Sequence, residues 1–234
     1  MNKTGVTLCI IALNEREALE NIWHTIPLTA FTEVYAIDGG STDGTHEFFK
    51  RKKIKVIQQK NPGRGAAMLE GLAHATQPFI LFFSGDGNED PQMFTAMIRE
   101  LRKGADLVIA GRHLRKGAGS DNSDDSLLLR KLVTILFGIT ITFIWGGDVR
   151  DPINGLRAGR VVFLKKLKLT AQNHTFELQS TIRALKHKGK IVEIPTRELP
   201  RAGGIRKETA GSWILGITHL KCLWSELILQ EDKK

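Results

Sequence analysis

Short apolar runs alternate with helical patterns along the first half of the chain, and this alternation constrains the fold more than any other feature. The runs lie at residues 7–12, 34–37, 56–57, 79–83 and 107–110. Between the first two, Leu19, Ile22 and Ile26 recur every three or four positions, which is typical of a helix face. Continuous apolar strands separated by helices predict an α/β protein whose mostly parallel sheet is covered on both faces.

Polar segments follow three of the predicted strands. Asn14 and Glu15 follow the first strand, residues 38–43 follow the second, and residues 84–90 follow the fourth. Ligands of parallel α/β sheets bind outside the carboxyl ends of the strands. We therefore expect these three segments to line one crevice.

The second half of the chain has a different pattern, with longer apolar helices and basic or glycine-rich loops. The predicted elements are a loop at 116–125, one or two apolar helices at 126–145, a turn at 151–155, a helix at 176–187, a strand at 191–195, a basic loop at 197–207 and an amphipathic helix at 212–229. The apolar stripe of the last helix includes Trp213 and Trp224.

The charge balance points to an anionic partner. The 234 residues include 34 Lys and Arg against 25 Asp and Glu, a net charge of +9. This excess favours nucleic acid, phosphorylated small molecules or an acidic membrane surface. Nucleic acid is the least favoured of these, because the sequence has no RNA-recognition signature and only one Tyr to interleave with basic residues.

Cysteine usage and hydropathy indicate a reducing compartment and no membrane span. Cys9 and Cys222 are too few for a disulfide framework, and no Cys/His cluster has zinc spacing. The longest uncharged run, residues 132–147, would reach about 24 Å as a helix, short of a hydrocarbon core of ~30 Å. The first fifteen residues lack a signal-peptide core.

Several polar residues have both a structural and a functional interpretation. Asp38 ends a predicted strand and could accept hydrogen bonds from a nucleotide base or ribose, or simply cap backbone amides of its turn. Asp43 is predicted to cap a helix that begins near Thr45. Arg64, Arg112, Arg201 and Lys207 are candidate phosphate ligands, although a single basic residue is usually a solvated surface residue.

Several sequence strings resemble the motifs of family 2 glycosyltransferases. IALNE at 11–15, IDGGSTDGT at 37–45 and GRGAA at 63–67 resemble donor-site motifs, and SGDGNEDP at 84–91 resembles the metal-site segment. DPINGLR at 151–157 and RAGGIRK at 201–207 resemble the branch that contains dolichyl-phosphate mannosyltransferases and other polyprenyl-phosphate sugar transferases. The strings occur in order and span residues 6–207.

The resemblance implies a fold, a reaction and a domain division. The fold would be the GT-A type, a nucleotide-diphospho-sugar transferase fold, with a catalytic domain at 1–210 and an amphipathic helix and tail at 211–234. The reaction would move a hexose from GDP-mannose or UDP-glucose to a polyprenyl or dolichyl phosphate, with inversion. A different acceptor, such as a glycan or diacylglycerol, and a non-catalytic sugar-nucleotide binder remain as alternatives.

The resemblance also implies roles for individual residues. The residues implied to bind the donor are Ala12, Asn14, Glu15, Asp38, Arg64 and Asp86. The residues implied in catalysis are Asp86, Asp151 and Arg112. The residues implied to bind the acceptor phosphate are Arg112, Arg201 and Lys207. Asp151 could orient the acceptor or be a turn residue before Pro152. A phosphate acceptor is already largely anionic and needs no strong general base.

The implied cofactor is Mg²⁺ or Mn²⁺, held by Asp86 and Asn88. Ser84 stands where the family pattern has a first aspartate, a departure that weakens the predicted metal site. Without the resemblance, an Asp/Asn/Gly turn would be the simpler interpretation of this segment.

The expected partners are a nucleotide sugar, a polyprenyl phosphate and a membrane surface, without nucleic acid. Residues 126–145 are core by default but could form an interfacial helix, and residues 212–229 could do so or form a homodimer contact. A separate membrane-anchor subunit is a further possibility. The predicted location is cytoplasmic, peripheral at the inner face of a membrane.

Overall fold

A central sheet of seven strands organises the described part of the chain. The computed structural model describes residues 5–112, 129–204 and 212–229. The strands are β1 (Val6–Ala12), β2 (Glu33–Asp38), β3 (Lys55–Gln58), β4 (Phe79–Ser84), β5 (Leu107–Gly111), β6 (Arg157–Arg160) and β7 (Ile191–Pro195). They lie in the order β3-β2-β1-β4-β6-β5-β7. Only β6 runs antiparallel to its neighbours among these strands.

Helices cover both faces of the sheet, and two short 3₁₀ turns follow the first helix. The helices are α1 (Arg16–Ile22), α2 (Thr45–Arg51), α3 (Arg64–His74), α4 (Met93–Arg102), α5 (Leu129–Trp145), α6 (Val161–Lys166), α7 (Phe176–Lys186) and α8 (Ser212–Ile228). The predicted α/β class is confirmed.

Alternation along each strand divides the core into two layers. In β1, Leu8 and Ile10 pack with α1, α2 and α4, whereas Cys9 packs with α3 and α7 on the opposite face. Because both faces are covered, successive residues in the middle of the strands are buried and mostly apolar, which is why the strands appear in the sequence as apolar runs.

One strand and one helix start differ from what the sequence pattern predicts. β6 has the sequence RAGR, which contains no apolar run; it is a strand because it pairs with both β4 and β5. Proline is common at the first position of a helix, but α4 begins two residues after Pro91, at Met93, because Asp90 holds a turn there by accepting from the amides of Gln92 and Met93. The loop predicted at 116–125 lies outside the described residues.

Helix α8 packs against α7 through a buried carboxylate. Glu226 is 2% exposed and accepts from Gln179 Nε2 (3.1 Å), Arg183 Nε (2.8 Å) and Lys186 Nζ (2.9 Å). The opposite face of α8 leaves Leu220 and other large apolar side chains exposed. A division at residue 210 remains a prediction, but α8 is packed on the same core as the rest of the fold.

Removal of the Glu226 carboxylate should destabilise the fold. Glu226→Ala leaves two partly buried cations without their partner, so we expect a loss of about 3 kcal/mol in the free energy of unfolding. Urea denaturation measures it. Glu20→Ala is the control, because Glu20 makes only exposed ion pairs with Arg16 and Arg51 and should cost less than about 1 kcal/mol. Equal losses in the two variants would contradict the role given to Glu226.

Candidate active site

Three strand ends meet at one edge of the sheet. Ala12 at the end of β1 pairs with Asp38 at the end of β2, and Ile11 pairs with Ser84 at the end of β4. The loops continue this pairing, since Gly39 N donates to the carbonyl of Ala12 (2.9 Å). The structure therefore brings the three predicted polar segments together.

The loops after β1 and β2 are joined by a short hydrogen-bonded relay. Ser41 Oγ donates to Asp38 Oδ1 (2.5 Å) and accepts from the amide of Asn14 (2.8 Å). Asn14 has a left-handed backbone (φ 51°), and its side-chain oxygen accepts from Thr42 N (2.7 Å). The relay holds these loops in place before any ligand binds.

Asp38 caps its own turn, as one of its two interpretations predicted. Its carboxylate is buried, accepts from the amide of Ser41 (3.1 Å) and lies 3.4 Å from His46 Nδ1. The capping contact does not test a role in nucleotide binding, which stays a prediction.

Asp43 connects the two loops at the start of α2. It accepts from Thr45 N (2.9 Å), Thr45 Oγ1 (2.6 Å) and Arg16 N (3.0 Å), and so closes the turn around Gly44, the N-cap residue of α2. Partial burial tends to raise the pKa of Asp43, but these hydrogen bonds to the carboxylate outweigh it and lower the pKa below its usual value.

The loop after β4 presents Asp86 beneath a segment from the other end of the chain. We call residues 196–204 the strap. Its Leu199 amide donates to Asn88 O (2.8 Å) and its Ala202 amide to Asp86 O (3.0 Å). Arg201 forms an ion pair with Glu15 and brings Nη1 to 3.6 Å from Asp86 Oδ2. Glu15, Asp86 and Arg201 therefore form one cluster.

The donor set at Asp86 fits a divalent metal shared with a ligand. Asp86 and Asn88 offer a carboxylate and an amide, oxygen ligands that Mg²⁺ and Mn²⁺ accept. Within the described ranges, no group of three His, Cys, Asp or Glu residues could hold a metal. A metal here would need further oxygens from a bound ligand, and a diphosphate supplies them.

Arg64 is neutralised by two buried carboxylates. Its Nε donates to Glu177 (2.9 Å) and its Nη2 to Glu89 (3.1 Å). Burial disfavours the charged guanidinium, but the two facing carboxylates outweigh it and raise the pKa of Arg64 above its usual value. Gly155 is required beside this pair, because a Cβ there would collide with the guanidinium.

Glu89 connects this ion-pair cluster to the strand that carries the Asp86 loop. Its second oxygen accepts from Ser84 N (2.7 Å). Burial raises the pKa of Glu89 to about 7, against the opposing charge of Arg64.

Arg112 and Asp151 form a bidentate ion pair. Arg112 Nε and Nη2 donate to the two oxygens of Asp151 (2.8 and 3.1 Å), and Nη1 donates to Glu198 of the strap (3.2 Å). Asp151 is fully buried, and its amide donates to Glu193 (2.8 Å). This arrangement makes Asp151 a positioning group for Arg112, and a phosphate contact of Arg112 stays a prediction.

Four carboxylates of the site carry no prediction from the sequence, and one predicted residue lies outside the described chain. Glu89 lay inside a highlighted motif, whereas Glu177, Glu193 and Glu198 have no local signal. Lys207 lies outside the described residues. A pocket of only about 20 Å³, space for one water molecule, lies between the Asp86 loop and Arg112; its lining includes Asn88, Glu89, Asn154 and Glu198.

The family model described as "Glycosyl transferase family 2" matches residues 7–168. The chain belongs to glycosyltransferase family 2. Glycosyltransferase AglJ of Haloferax volcanii is 30% identical over 206 residues, 86% of this chain and 66% of that protein. The predicted family resemblance is confirmed.

Two further relatives of this glycosyltransferase are named after polyprenyl-phosphate substrates or products. Dodecaprenyl-phosphate galacturonate synthase of Rhizobium johnstonii is 28% identical over 75% of this chain and 52% of its own length. Dolichol-phosphate mannosyltransferase of Pyrococcus furiosus is 25% identical over 86% of this chain and 58% of its own length. The chain thus spans about half to two thirds of AglJ and of these two relatives.

The family 2 chain also has the expected fold. A crystal structure of glucosyl-3-phosphoglycerate synthase from Mycobacterium tuberculosis, in complex with Mn²⁺, UDP-glucose and phosphoglyceric acid, superposes with a TM-score of 0.77. The match covers 98% of this chain and 82% of that one, at 17% identity. The GT-A fold is confirmed; at this identity the likeness extends to the fold alone.

Asp43 should stabilise the glycosyltransferase in a pH-dependent way. Asp43→Ala removes three hydrogen bonds, so we expect a loss of about 1 kcal/mol in unfolding free energy at neutral pH. Because folding lowers the pKa of Asp43, its contribution is present above its ordinary value of 3.8 and is lost as the pH falls through the lower folded value.

Denaturation of wild type and variant between pH 2.5 and 7 measures this difference. Glu47→Ala, at an exposed acidic residue of the same helix, is the matched control and should stay within about 0.5 kcal/mol. A gap between wild type and Asp43→Ala that widens in acid would refute the assignment.

Proposed function

We propose that this glycosyltransferase moves a hexose from a nucleotide sugar, GDP-mannose or UDP-glucose, to a polyprenyl phosphate with inversion of the anomeric configuration. The convergence of the β1, β2 and β4 ends on Asp86, beside the basic residues Arg112 and Arg201, carries the proposal. Family membership supports the reaction class.

The donor occupies the side of the site built by β1 and β2. Ala12 ends β1 beside Asp38, and the carboxylate of Asp38 and the side chains of Asn14 and Glu15 line the place for the nucleoside. Arg64 belongs to this side as well, and Glu89 and Glu177 hold its guanidinium in a fixed direction. The hydrogen-bonded relay through Ser41 reduces the entropy lost when the donor binds.

Asp86 and Asn88 would hold Mg²⁺ or Mn²⁺ when the donor is bound. The cation, when bound, neutralises the negative charge that develops on the leaving diphosphate. Glucosyl-3-phosphoglycerate synthase, which shares the fold, has been crystallised with Mn²⁺ or Mg²⁺ and UDP, which supports a divalent cofactor here. Because Ser84 stands in place of the first aspartate of the motif, Asp86 is the one carboxylate at a metal-ligand position.

The acceptor phosphate occupies the side built by β5, β6 and the strap. Arg112 and the basic residues of the 201–207 segment, Lys207 included, attract and orient the phosphate. A phosphate oxygen forms a bond to the anomeric carbon as that carbon's bond to the diphosphate breaks. No strong base is needed, and Asp151 instead fixes the direction of the Arg112 guanidinium.

Two alternatives remain. The fold match to glucosyl-3-phosphoglycerate synthase favours a small phosphorylated acceptor as the second candidate. Ser84, in place of an aspartate, favours a binder of sugar nucleotides that lacks catalysis. Neither alternative accounts for the exposed apolar faces described below.

Product analysis tests the function. The purified protein is incubated with Mn²⁺ and labelled GDP-mannose or UDP-glucose, and with either polyprenyl phosphate or phosphoglyceric acid. A glycosylated lipid supports the proposal, and a glycosylated phosphoglycerate supports the second candidate. Release of no nucleoside diphosphate under any condition would favour the non-catalytic binder.

Asp86→Asn should reduce transfer by roughly a hundredfold or more, because the leaving diphosphate loses its cation. The release of nucleoside diphosphate measures turnover, and thermal denaturation verifies folding. Asp148→Asn is the matched control, since Asp148 is an exposed aspartate outside the site and its loss should leave turnover unchanged. Normal turnover of Asp86→Asn would rule out the metal role.

We further propose that α5 and α8 hold the enzyme against a membrane surface, where a polyprenyl phosphate is presented. The helices are neighbours, with the rings of Phe137 and His219 5.9 Å apart. Together they expose Leu136, Ile139, Phe143, Ile217, Leu220, Trp224 and Ile228. Within the described ranges, no helix is long and apolar enough to cross a bilayer. Exposed apolar side chains on a chain with a net charge of +9 fit interfacial docking to anionic lipid.

Charges on these faces should prevent membrane binding. The double variant Phe143→Glu/Trp224→Glu alters side chains that are 90% and 67% exposed, so folding should be unaffected. We expect wild type to float with vesicles that contain anionic lipids and the variant to stay in the soluble fraction. Val162→Glu, 76% exposed on α6, is the control and should float. Recovery of all wild-type protein as soluble at low salt would exclude docking.

A further inference from the structure

Arg201 belongs to the donor side of the site by its contacts. Its guanidinium forms an ion pair with Glu15, which follows β1, and lies 3.6 Å from Asp86, which follows β4. The strap holds it there, because Asn21 donates to Ala202 O (2.7 Å) and Gly204 N donates to Glu17 (2.9 Å).

One donor of Arg201 is unsatisfied. Its Nε is buried and has no hydrogen-bond partner among the described residues. A buried donor without an acceptor is costly. In this arrangement, which we call the closed state, Glu15 and Asp86 neutralise the charge of Arg201, but its Nε lacks an acceptor. A ligand with several acceptor oxygens would neutralise the charge and also accept from Nε.

The charge of Arg201 competes with a metal for the same carboxylate. Asp86 is the one motif carboxylate at a metal-ligand position, since Ser84 replaces the other. A guanidinium 3.6 Å from Asp86 already neutralises it. A divalent cation that binds Asp86 with Arg201 in place meets strong repulsion at this distance.

We propose that Arg201 is the built-in counter-ion of the donor site, exchanged for the metal when a metal–nucleoside diphosphate complex binds. The released guanidinium then binds diphosphate oxygens, including through the Nε that is unpartnered in the closed state. Metal binding is thereby coupled to nucleotide binding. This inference rests on the proposed role of Asp86 and moves Arg201 from the acceptor phosphate to the donor.

Direct Mn²⁺ binding to the full chain tests the exchange, without turnover. Free Mn²⁺ is measured by electron paramagnetic resonance in titrations with and without GDP or UDP. For Arg201→Gln we expect Mn²⁺ alone to bind on the order of tenfold more tightly than to wild type, because the competing charge is gone. The enhancement by nucleotide, large in wild type, should shrink by a similar factor.

Three variants control for charge and folding. Arg201→Lys keeps the cation and should bind Mn²⁺ like wild type. Arg197→Gln removes the same charge from the same strap, but from a residue that faces Asp90 at 3.6 Å, and should change affinity less than about twofold. Arg201→Ala repeats the test should the Gln variant fail to fold, which thermal denaturation reveals.

The outcomes separate this inference from the proposed function. Tighter Mn²⁺ binding by Arg201→Gln that is abolished by adding Asp86→Asn supports it. Unchanged or weaker binding by Arg201→Gln and Arg201→Ala, or the same gain in Arg201→Lys, overturns the counter-ion role and leaves the metal role of Asp86 standing. Mn²⁺ binding that is insensitive to Asp86→Asn in every background overturns both.

Discussion

The parallel pairing of β1 with β2 on one side and β4 on the other is the constraint on which the site depends. Parallel strands end at the same edge of a sheet, so three loops distant in sequence must emerge side by side. The strand register determines which residues lie side by side: Ala12 is opposite Asp38, and Ile11 is opposite Ser84. Asn14, Glu15, Asp38 and Asp86 are placed by where these strands end.

Charge neutralisation is the second organising feature. Each described arginine that the sequence placed near phosphate already faces carboxylates: Arg64 faces Glu89 and Glu177, Arg112 faces Asp151 and Glu198, and Arg201 faces Glu15 and Asp86. An anionic ligand therefore enters a site whose cations are held in fixed directions. Such preorganisation lowers the cost of binding but makes binding an exchange of partners.

Local patterns predicted six of the seven strands, most helices and the loops that meet at the site. They succeeded because a strand buried on both faces is made of consecutive apolar residues. They also succeeded because Asp43, just before α2 in the sequence, is a local signal of a helix start. The carboxylate partners could not be predicted in this way. Glu177 lies 113 residues from Arg64 and Glu15 lies 186 from Arg201, so each pairing follows from the topology and leaves no local trace. β6 was missed for the same reason, since RAGR is a strand only by virtue of its neighbours.

Arg157 shows what the antiparallel direction of β6 accomplishes. It lies at the start of that strand, opposite Phe82, and donates to the carbonyls of Pro152 and Asn154 in the turn before it. Burial lowers the pKa of Arg157 to about 10.

β6 runs antiparallel to β4 and β5. The segment that precedes β6 therefore lies at the same edge of the sheet as the segments that follow β4 and β5. The 151–155 turn thus enters between the two halves of the sheet, with Gly155 against Arg64 and Asp151 against Arg112. Insertions or deletions in that turn would move Asp151 and the arginine that it holds, while the parallel register of β1, β2 and β4 stays intact, so this turn can vary without disturbing the three strand ends that meet at the site.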